Sequence, residues 1–114
     1  MADEVVYVDF NEGIKRVMNN AKLYVKLLTK FKADTNLEGL LLSLAAGDLE
    51  KAKGEAHTLK GLAANLSLSE LFKQVLELES QIKGNSVDSN LVETVKTVYA
   101  ATVQEVDKVI AENG

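Results

Sequence analysis

Residues 49–66 read LEKAKGEAHTLKGLAANL, and their pattern predicts one amphipathic helix. Asp48 stands directly before them, where a carboxylate can cap the free N–H groups of a helix start. The apolar residues follow steps of three and four, which places them on one face of an α-helix. They are Leu49, Ala52, Ala56, Leu59, Ala63 and Leu66. Because this stripe must be covered by other helices, the chain is expected to fold as a helical bundle.

The sequence on both sides of this stretch is also helical in pattern. Helix formers dominate it, and no proline interrupts it. Polar residues at capping positions set the predicted bounds: 10–18 after Asp9, 21–33 after Asn19 and Asn20, Thr35-x-x-Glu38 to Gly47, Ser67-x-x-Glu70 to about Gly84, and Asp88, Ser89 or Asn90 to about Asn113. Two further apolar stripes are predicted: Leu68, Leu71, Val75, Leu78 and Ile82 in one helix, and Val92, Val95, Tyr99, Val103, Val106 and Ile110 in the last.

Connections of only a few residues force neighbouring helices to run antiparallel. The predicted fold is therefore all-α: an up-down antiparallel four-helix bundle over about 35–113, with two shorter N-terminal helices at about 10–33 packed on it. The sequence shows no repeat, low-complexity tract or domain boundary. Residues 1–114 are thus expected to form a single domain.

Composition excludes several classes of protein. The chain has no cysteine, so neither a disulfide nor a cysteine-based zinc site can form. The formal net charge of -4 argues against a nucleic-acid binder, which usually carries a basic surface. The N-terminal MADEVVYVDF is not a secretory signal, and no apolar run approaches the roughly 20 residues that span a bilayer. We therefore expect a cytoplasmic protein that binds neither nucleic acid nor membrane.

The chemistry of the sequence centres on its one histidine, His57. The sequence has no phosphate-binding loop, dinucleotide fingerprint, zinc-protease motif or calcium loop. At roughly 100° per residue, His57 lies roughly 140° from the centre of the apolar stripe, so its imidazole is predicted to face solvent. The helical neighbours on that face are Lys53, Gly54, Lys60, Gly61 and Ala64.

Two glycines on the histidine face of one helix need a reason, because each costs about 1 kcal/mol relative to alanine. Gly54 and Gly61 would leave a flat surface on which another protein could bring its backbone close to the imidazole. Lys60, one turn away, could reach a group attached to His57. An accessible imidazole beside a cation suits a nucleophile that accepts a phosphoryl group. Since the sequence has no nucleotide-binding motif, we predict a phosphocarrier and not an enzyme with its own turnover.

The segment AHTLKGLAANL at 56–66 resembles the signature of histidine-containing phosphotransfer (HPt) domains, written H-x-x-K-G on an exposed bundle helix. The resemblance covers about residues 5–84, and the last helix matches in pattern only. The flanking matches are Asp9-Phe10-x-x-Gly13-x-x-Arg16, Tyr24-x-x-x-Leu28-x-x-Phe31, Gly47-Asp48 and Leu71-x-x-x-Val75-x-x-Leu78-Glu79.

The resemblance implies roles for the matching residues. It makes His57 the phosphoacceptor, through Nε2, with Lys60 as its charge partner and Gly61 as the clearance residue. It also implies that Glu79 lies near the histidine and orients the other ring nitrogen. The sequence pattern alone leaves Glu79 as a surface acid beside an apolar stripe. Many members have glycine where this chain has Ser67, so the turn there is expected to be preserved in another way, by the capping box.

The implied function is that of an intermediate in a two-component phosphorelay. A response-regulator receiver domain would donate the phosphoryl group from its aspartate to His57, and another receiver would accept it. The surface facing the receiver would include Gly61, Ala64, Gly54 and Lys53. A sensor histidine kinase would be a further partner. Magnesium would belong to the receiver, and the chain would act as a monomer without a metal or cofactor of its own.

Two alternatives stay open at this point. The chain could be the phosphotransfer module of a hybrid or chemotaxis-type histidine kinase, although its methionine start and polar end favour a free-standing protein. It could also be a helical binding bundle whose histidine does not react. The apolar residues at 23–31 are core by default, and some of them could instead form a docking patch beside the histidine.

Overall fold

The computed structural model describes residues 5–113, and within that range the only regular elements are helices. They are α1 (Phe10–Arg16), α2 (Ala21–Lys32), α3 (Asn36–Ala45), α4 (Leu49–Asn65), α5 (Ser69–Lys83) and α6 (Ser89–Asn113). The sequence predicted each of these helices, with ends that differ by less than one helical turn. None of the helices in this range is long and apolar enough to cross a membrane.

Side-chain caps begin four of the helices, among them α6, where Asp88 accepts from the backbone N–H of Asn90 at 2.9 Å. Asp9, Asn20 and Asp48 each accept a hydrogen bond from the backbone N–H three residues later. The caps predicted at Asp9 and Asp48 are therefore confirmed. The capping box predicted at Thr35 is wrong, because that residue occupies the N-cap of α3 but its hydroxyl does not cap the helix. The preceding carboxylate, Asp34, accepts from the backbone N–H of the first residue of α3 instead, at 2.9 Å.

The capping box predicted at Ser67 is also wrong. Leu68 occupies the N-cap of α5 and, being apolar, offers no side-chain cap. Ser67 takes the left-handed conformation that favours glycine, with φ of 57°, and its Oγ accepts from Nε of Arg16 at 3.1 Å. The N-terminal segment supplies the cap, because the backbone N–H of Glu70 donates to the carbonyl of Val6 at 3.0 Å. The turn between α4 and α5 is thus held from outside the helix pair.

The helices pack around one core in the order α3, α4, α5, α6 and α2. α4 lies between α3 and α5, and α6 lies between α5 and α2. Residues 33–35 join α2 to α3. Because α2 packs on α6 and α3 packs on α4, these two consecutive helices close the bundle between α6 and α4. α1 packs on α2, where the rings of Phe10 and Tyr24 meet edge to face at 5.9 Å. The predicted all-helical bundle is confirmed. The predicted arrangement, four helices over about 35–113 with both N-terminal helices packed on them, is not confirmed, because α2 packs on α6 and contributes three buried residues to the core: Tyr24, Leu28 and Phe31.

The apolar stripes predicted for α4 and α5 are confirmed. Their buried members are Ala52, Ala56, Leu59 and Ala63 in α4 and Leu71, Val75, Leu78 and Ile82 in α5. The stripe predicted for α6 is only partly right, since the buried residues there are Val95, Val98, Thr102, Val106 and Val109. Thr102 can be buried because its hydroxyl donates to the carbonyl of Val98 at 2.7 Å.

Tyr24 ties the N-terminal helices to the end of α4. Its hydroxyl donates to the backbone carbonyl of Leu66 at 2.6 Å. Burial, with smaller contributions from Asp9 and Glu12, raises the pKa of Tyr24 to about 12, so the phenol keeps its proton and stays a donor. The ring needs the space beside Gly13, because a Cβ at that position would overlap it. This packing fixes the C-terminal end of the helix that carries the histidine.

Candidate functional site

The imidazole of His57 projects from the outer face of α4. The apolar stripe of this helix packs between α3 and α5, so the opposite face is turned to solvent. The side chain of His57 is 70% exposed. Its predicted orientation toward solvent is therefore confirmed.

Glu79 reaches His57 from the neighbouring helix α5. Its Oε2 lies 3.1 Å from Nδ1 of the imidazole, and its side chain is only 4% exposed. The interpretation of Glu79 as a surface acid is therefore wrong, and the orienting position implied by the family resemblance is the one observed. A carboxylate at Nδ1 favours the tautomer that carries the ring proton on that nitrogen. The lone pair is then on Nε2, the nitrogen on the solvent side.

Two lysines share the same carboxylate. Nζ of Lys60 lies 2.7 Å from Oε1 of Glu79, and Nζ of Lys83 lies 3.8 Å from Oε2. Burial raises the pKa of Glu79, but hydrogen bonds from Lys60 and His57 and the charges of both lysines outweigh it and hold the pKa below its ordinary value. The site therefore contains a buried, ionised carboxylate surrounded by two ammonium groups and an imidazole.

The lysine predicted as charge partner of a phosphoryl group is already engaged in the resting site. The side chain of Lys60 is 22% exposed, and its ammonium is paired with Glu79. It lies one helical turn from His57, a spacing at which side chains on a helix can meet. To reach a group on the imidazole, its ammonium would therefore have to leave the carboxylate.

Small residues keep the helix surface around the imidazole low. A Cβ added at Gly54 or Gly61 would meet no atom of the described residues within 4 Å beyond its chain neighbours and the adjacent backbone of α4, so packing inside the chain requires neither glycine. Ala64, one turn after Gly61, is half-buried and continues this low surface. Lys53 lies one turn before the imidazole and pairs with Glu50 at 3.4 Å, with its side chain 43% exposed. The surface therefore lets a second protein approach the imidazole closely.

An open apolar groove lies beside the C-terminal part of α4. It has a volume of about 550 Å³ and lies between the N-terminal helices and the last turns of α4. Its apolar walls are Val17, Leu27, Phe31, Leu62 and Leu66, and its polar rim is Arg16, Lys30, Asp34 and Asn65. Leu27 and Phe31 belong to the stretch predicted as core or docking patch. Phe31 is buried in the core, whereas Leu27 is half-buried and its position is compatible with both functions. Leu23 from the same stretch is 39% exposed.

Sequence reasoning missed Lys83. Its one signal was its position four residues after Glu79, the spacing at which a glutamate and a lysine pair on a helix surface. This signal alone does not place Lys83 in the site, because the sequence pattern leaves Glu79 as a surface acid. Within residues 5–113, no His, Asp and Glu side chains form a group of three that could hold a metal ion.

Comparison with protein families matches the Hpt domain to residues 27–109. Searches of curated proteins and of solved structures gave no significant match. The matched range extends into α6 and begins after the motif around Asp9, whereas the resemblance was placed at about residues 5–84 with only a pattern match in the last helix. The matched range 27–109 contains His57, Lys60, Glu79 and Lys83. Because the match spans more than half of the sequence, the chain belongs to the Hpt domain family, whose members serve histidine phosphotransfer in two-component signalling.

Proposed function

We propose that this chain is a phosphorelay intermediate that accepts a phosphoryl group on Nε2 of His57 from the aspartate of a receiver domain and passes it to another receiver. The observation that carries the proposal is the exposed imidazole whose Nδ1 is held at 3.1 Å by the buried carboxylate of Glu79. This contact leaves one ring nitrogen free to react and points it at solvent.

The transfer is a single displacement at phosphorus. The lone pair of Nε2 attacks the aspartyl phosphate of the receiver, and the new N–P bond forms as the P–O bond to the aspartate breaks. The leaving group is the aspartate carboxylate, which stays on the receiver. Nδ1 keeps its proton, so the ring gains positive charge, and Glu79 stabilises that charge. The reverse displacement delivers the phosphoryl group to a second receiver.

Negative charge on the phosphoryl oxygens is offset mainly by positioned cations. Lys60 supplies one of them by turning from Glu79 toward the phosphoryl group. Magnesium bound to the receiver supplies another, so this chain contributes neither a metal nor a nucleotide. It acts as a carrier and not as an enzyme with its own turnover.

The receiver docks on the low surface of α4 and on the groove beside it. Its backbone approaches across Gly54, Gly61 and Ala64, and an apolar side chain of the receiver enters the groove at Leu27. The groove borders the histidine surface, since Asn65 on its rim lies one helical turn after Gly61. One such face serves donor and acceptor in turn, so we expect a monomer. A sensor histidine kinase and receivers of response regulators are the expected partners.

Phosphotransfer from a labelled receiver, with wild type and His57→Gln compared, tests the proposal. Wild type should take up label that is labile in acid and stable in base, and the variant should take up none. The side chain is 70% exposed, so the substitution should leave the fold intact, which a thermal unfolding curve checks. Equal labelling of both proteins would refute the proposal. No label on either folded protein would favour the alternative of a binding bundle whose histidine does not react.

A further inference from the structure

Lys83 has no role in the mechanism so far. Its Nζ lies 3.8 Å from Oε2 of Glu79, the same oxygen that contacts Nδ1 of His57. It is the last residue of α5 and its side chain is 59% exposed, so the ammonium can move without disturbing the core. The ammonium of Lys83 is therefore a second cation close to the carboxylate of Glu79, which Lys60 already pairs.

The arrival of a phosphoryl group creates a conflict for Lys60. In the resting site its ammonium sits 2.7 Å from Oε1 of Glu79. If it turns to the phosphoryl oxygens, the carboxylate loses its nearest cation while remaining 4% exposed. A buried carboxylate that loses its partner is strongly disfavoured. Without a substitute, Lys60 would stay on Glu79 and leave the phosphoryl charge uncompensated.

We infer that Lys83 is a positioning residue for phosphotransfer: as Lys60 turns to the phosphoryl group, Lys83 closes on Glu79 and replaces it. This inference rests on the proposed function of His57. The replacement keeps the carboxylate ionised and directed at Nδ1 throughout the transfer. Lys83 itself contacts neither the phosphoryl group nor the receiver.

The required movement is small. An ammonium–carboxylate hydrogen bond is about 2.8 Å long, so Nζ of Lys83 needs to move only about 1 Å closer to Glu79. A glutamate four residues before a lysine is also the favourable orientation for such a pair on a helix. The backbone of α5 can therefore stay in place during the exchange.

The test compares Lys83→Met, Lys83→Arg and the matched control Lys73→Met, which removes the same charge from another exposed position of α5. Two rates are measured: labelling by the small donor phosphoramidate, and transfer at saturating receiver. Lys83→Met should lower both by about threefold, the size expected for a partly exposed ion pair. Lys83→Arg should recover most of the loss, and Lys73→Met should match wild type. A purely structural role at the end of α5 would instead shift the melting temperature and leave both rates unchanged, and would refute the inference.

The Glu79→Gln background separates action through the carboxylate from other roles. Adding Lys83→Met there should lower the rates no further, because the charge that Lys83 compensates is gone. A loss of the same size in both backgrounds would show that Lys83 acts on the phosphoryl group directly. A higher KM for the receiver with an unchanged phosphoramidate rate would show a docking role. Either result overturns the inference. Failure of the proposed function looks different, since wild type would then be labelled no more than His57→Gln.

Discussion

Replacing Gly61 with alanine should make this protein more stable and a poorer partner for a receiver. Gly61 lies inside α4, four residues before its end, and a Cβ there would meet no atom of the described residues within 4 Å beyond its chain neighbours and the adjacent helix backbone. The folded chain therefore has room for alanine. Any cost of alanine at this position would therefore arise when another molecule docks on α4.

The expected gain in stability follows from the helix. Alanine is favoured over glycine in a helix interior by about 1 kcal/mol, mainly because the unfolded chain has less conformational freedom to lose. Nothing in the surroundings of Gly61 opposes this gain. For a chain of this size, about 1 kcal/mol corresponds to a rise in melting temperature of about 4 °C. Urea and thermal unfolding of wild type and variant measure it.

The expected loss in docking follows from the same methyl group. A receiver backbone lying against Gly61 has to move away or repack when a Cβ is added, at a cost of about 1 kcal/mol or more. The KM for a phosphorylated receiver should then rise about fivefold. Labelling by phosphoramidate should stay at the wild-type rate, because a small donor needs no helix surface. Gly61→Gln should raise the KM further.

Gly54→Ala is the matched control for the stability part, since its Cβ also meets open space. It should stabilise the fold by a similar amount, and its KM reports whether the receiver reaches one turn before His57. A Gly61→Ala protein that is less stable than wild type would refute the packing argument. One that is more stable and transfers at an unchanged KM would refute the clearance role of Gly61.

Three further substitutions test the interior of the site and its support. Lys60→Ala should slow transfer at saturating receiver about tenfold and lower the free energy of unfolding by about 1 kcal/mol, because Glu79 loses its nearest cation; an unchanged rate would remove Lys60 from the mechanism. Because the pKa of Glu79 is lowered in the folded state, its ionised form stabilises the fold above the unfolded pKa of about 4.3, and this contribution is lost as the pH falls through the folded pKa. The difference in unfolding free energy between wild type and Glu79→Gln should thus be constant from pH 7 to about 5 and shrink below about 4; urea titrations showing a pH-independent difference would contradict this. Gly13→Ala should destabilise the fold by about 1–3 kcal/mol because its Cβ overlaps the ring of Tyr24, and equal unfolding curves would show that the ring moves freely.

The helices could be predicted from the sequence because their signals are local. Asp9 and Asp48 cap as expected, since an N-cap depends on residues within one turn. Ser67 could not be assigned in this way. Its carbonyl accepts from the backbone N–H of Asp9, and its hydroxyl accepts from Arg16, 51 residues away in sequence. These contacts exist only after the N-terminal segment has packed on the turn, and they hold the serine at a φ that favours glycine.

The outward face of α4 could be predicted for a similar reason, whereas the partner of its histidine followed only from the family resemblance and not from the sequence pattern. The angle between His57 and the apolar stripe follows from the helical repeat alone. The contact with Glu79 depends on the register between α4 and α5, which the turn around Ser67 and the packing of both stripes determine together. The one local hint was that Glu79 directly follows Leu78, a buried residue, so that its side chain starts at the edge of the core.

The buried carboxylate explains why the exposed residues of this site cannot be understood separately. Glu79 contacts Nδ1 of His57 and Nζ of Lys60 with its two oxygens, so it favours one ring tautomer and also pairs the lysine. In the proposed mechanism, phosphorylation of Nε2 would strengthen the first contact, since the ring would become positive, and would compete with the second for the same ammonium. Phosphorylation would therefore strengthen the contact between Nδ1 and Glu79 and release Lys60 from the carboxylate. A carboxamide at position 79 would weaken both effects at once, which no substitution on the exposed face of α4 can do.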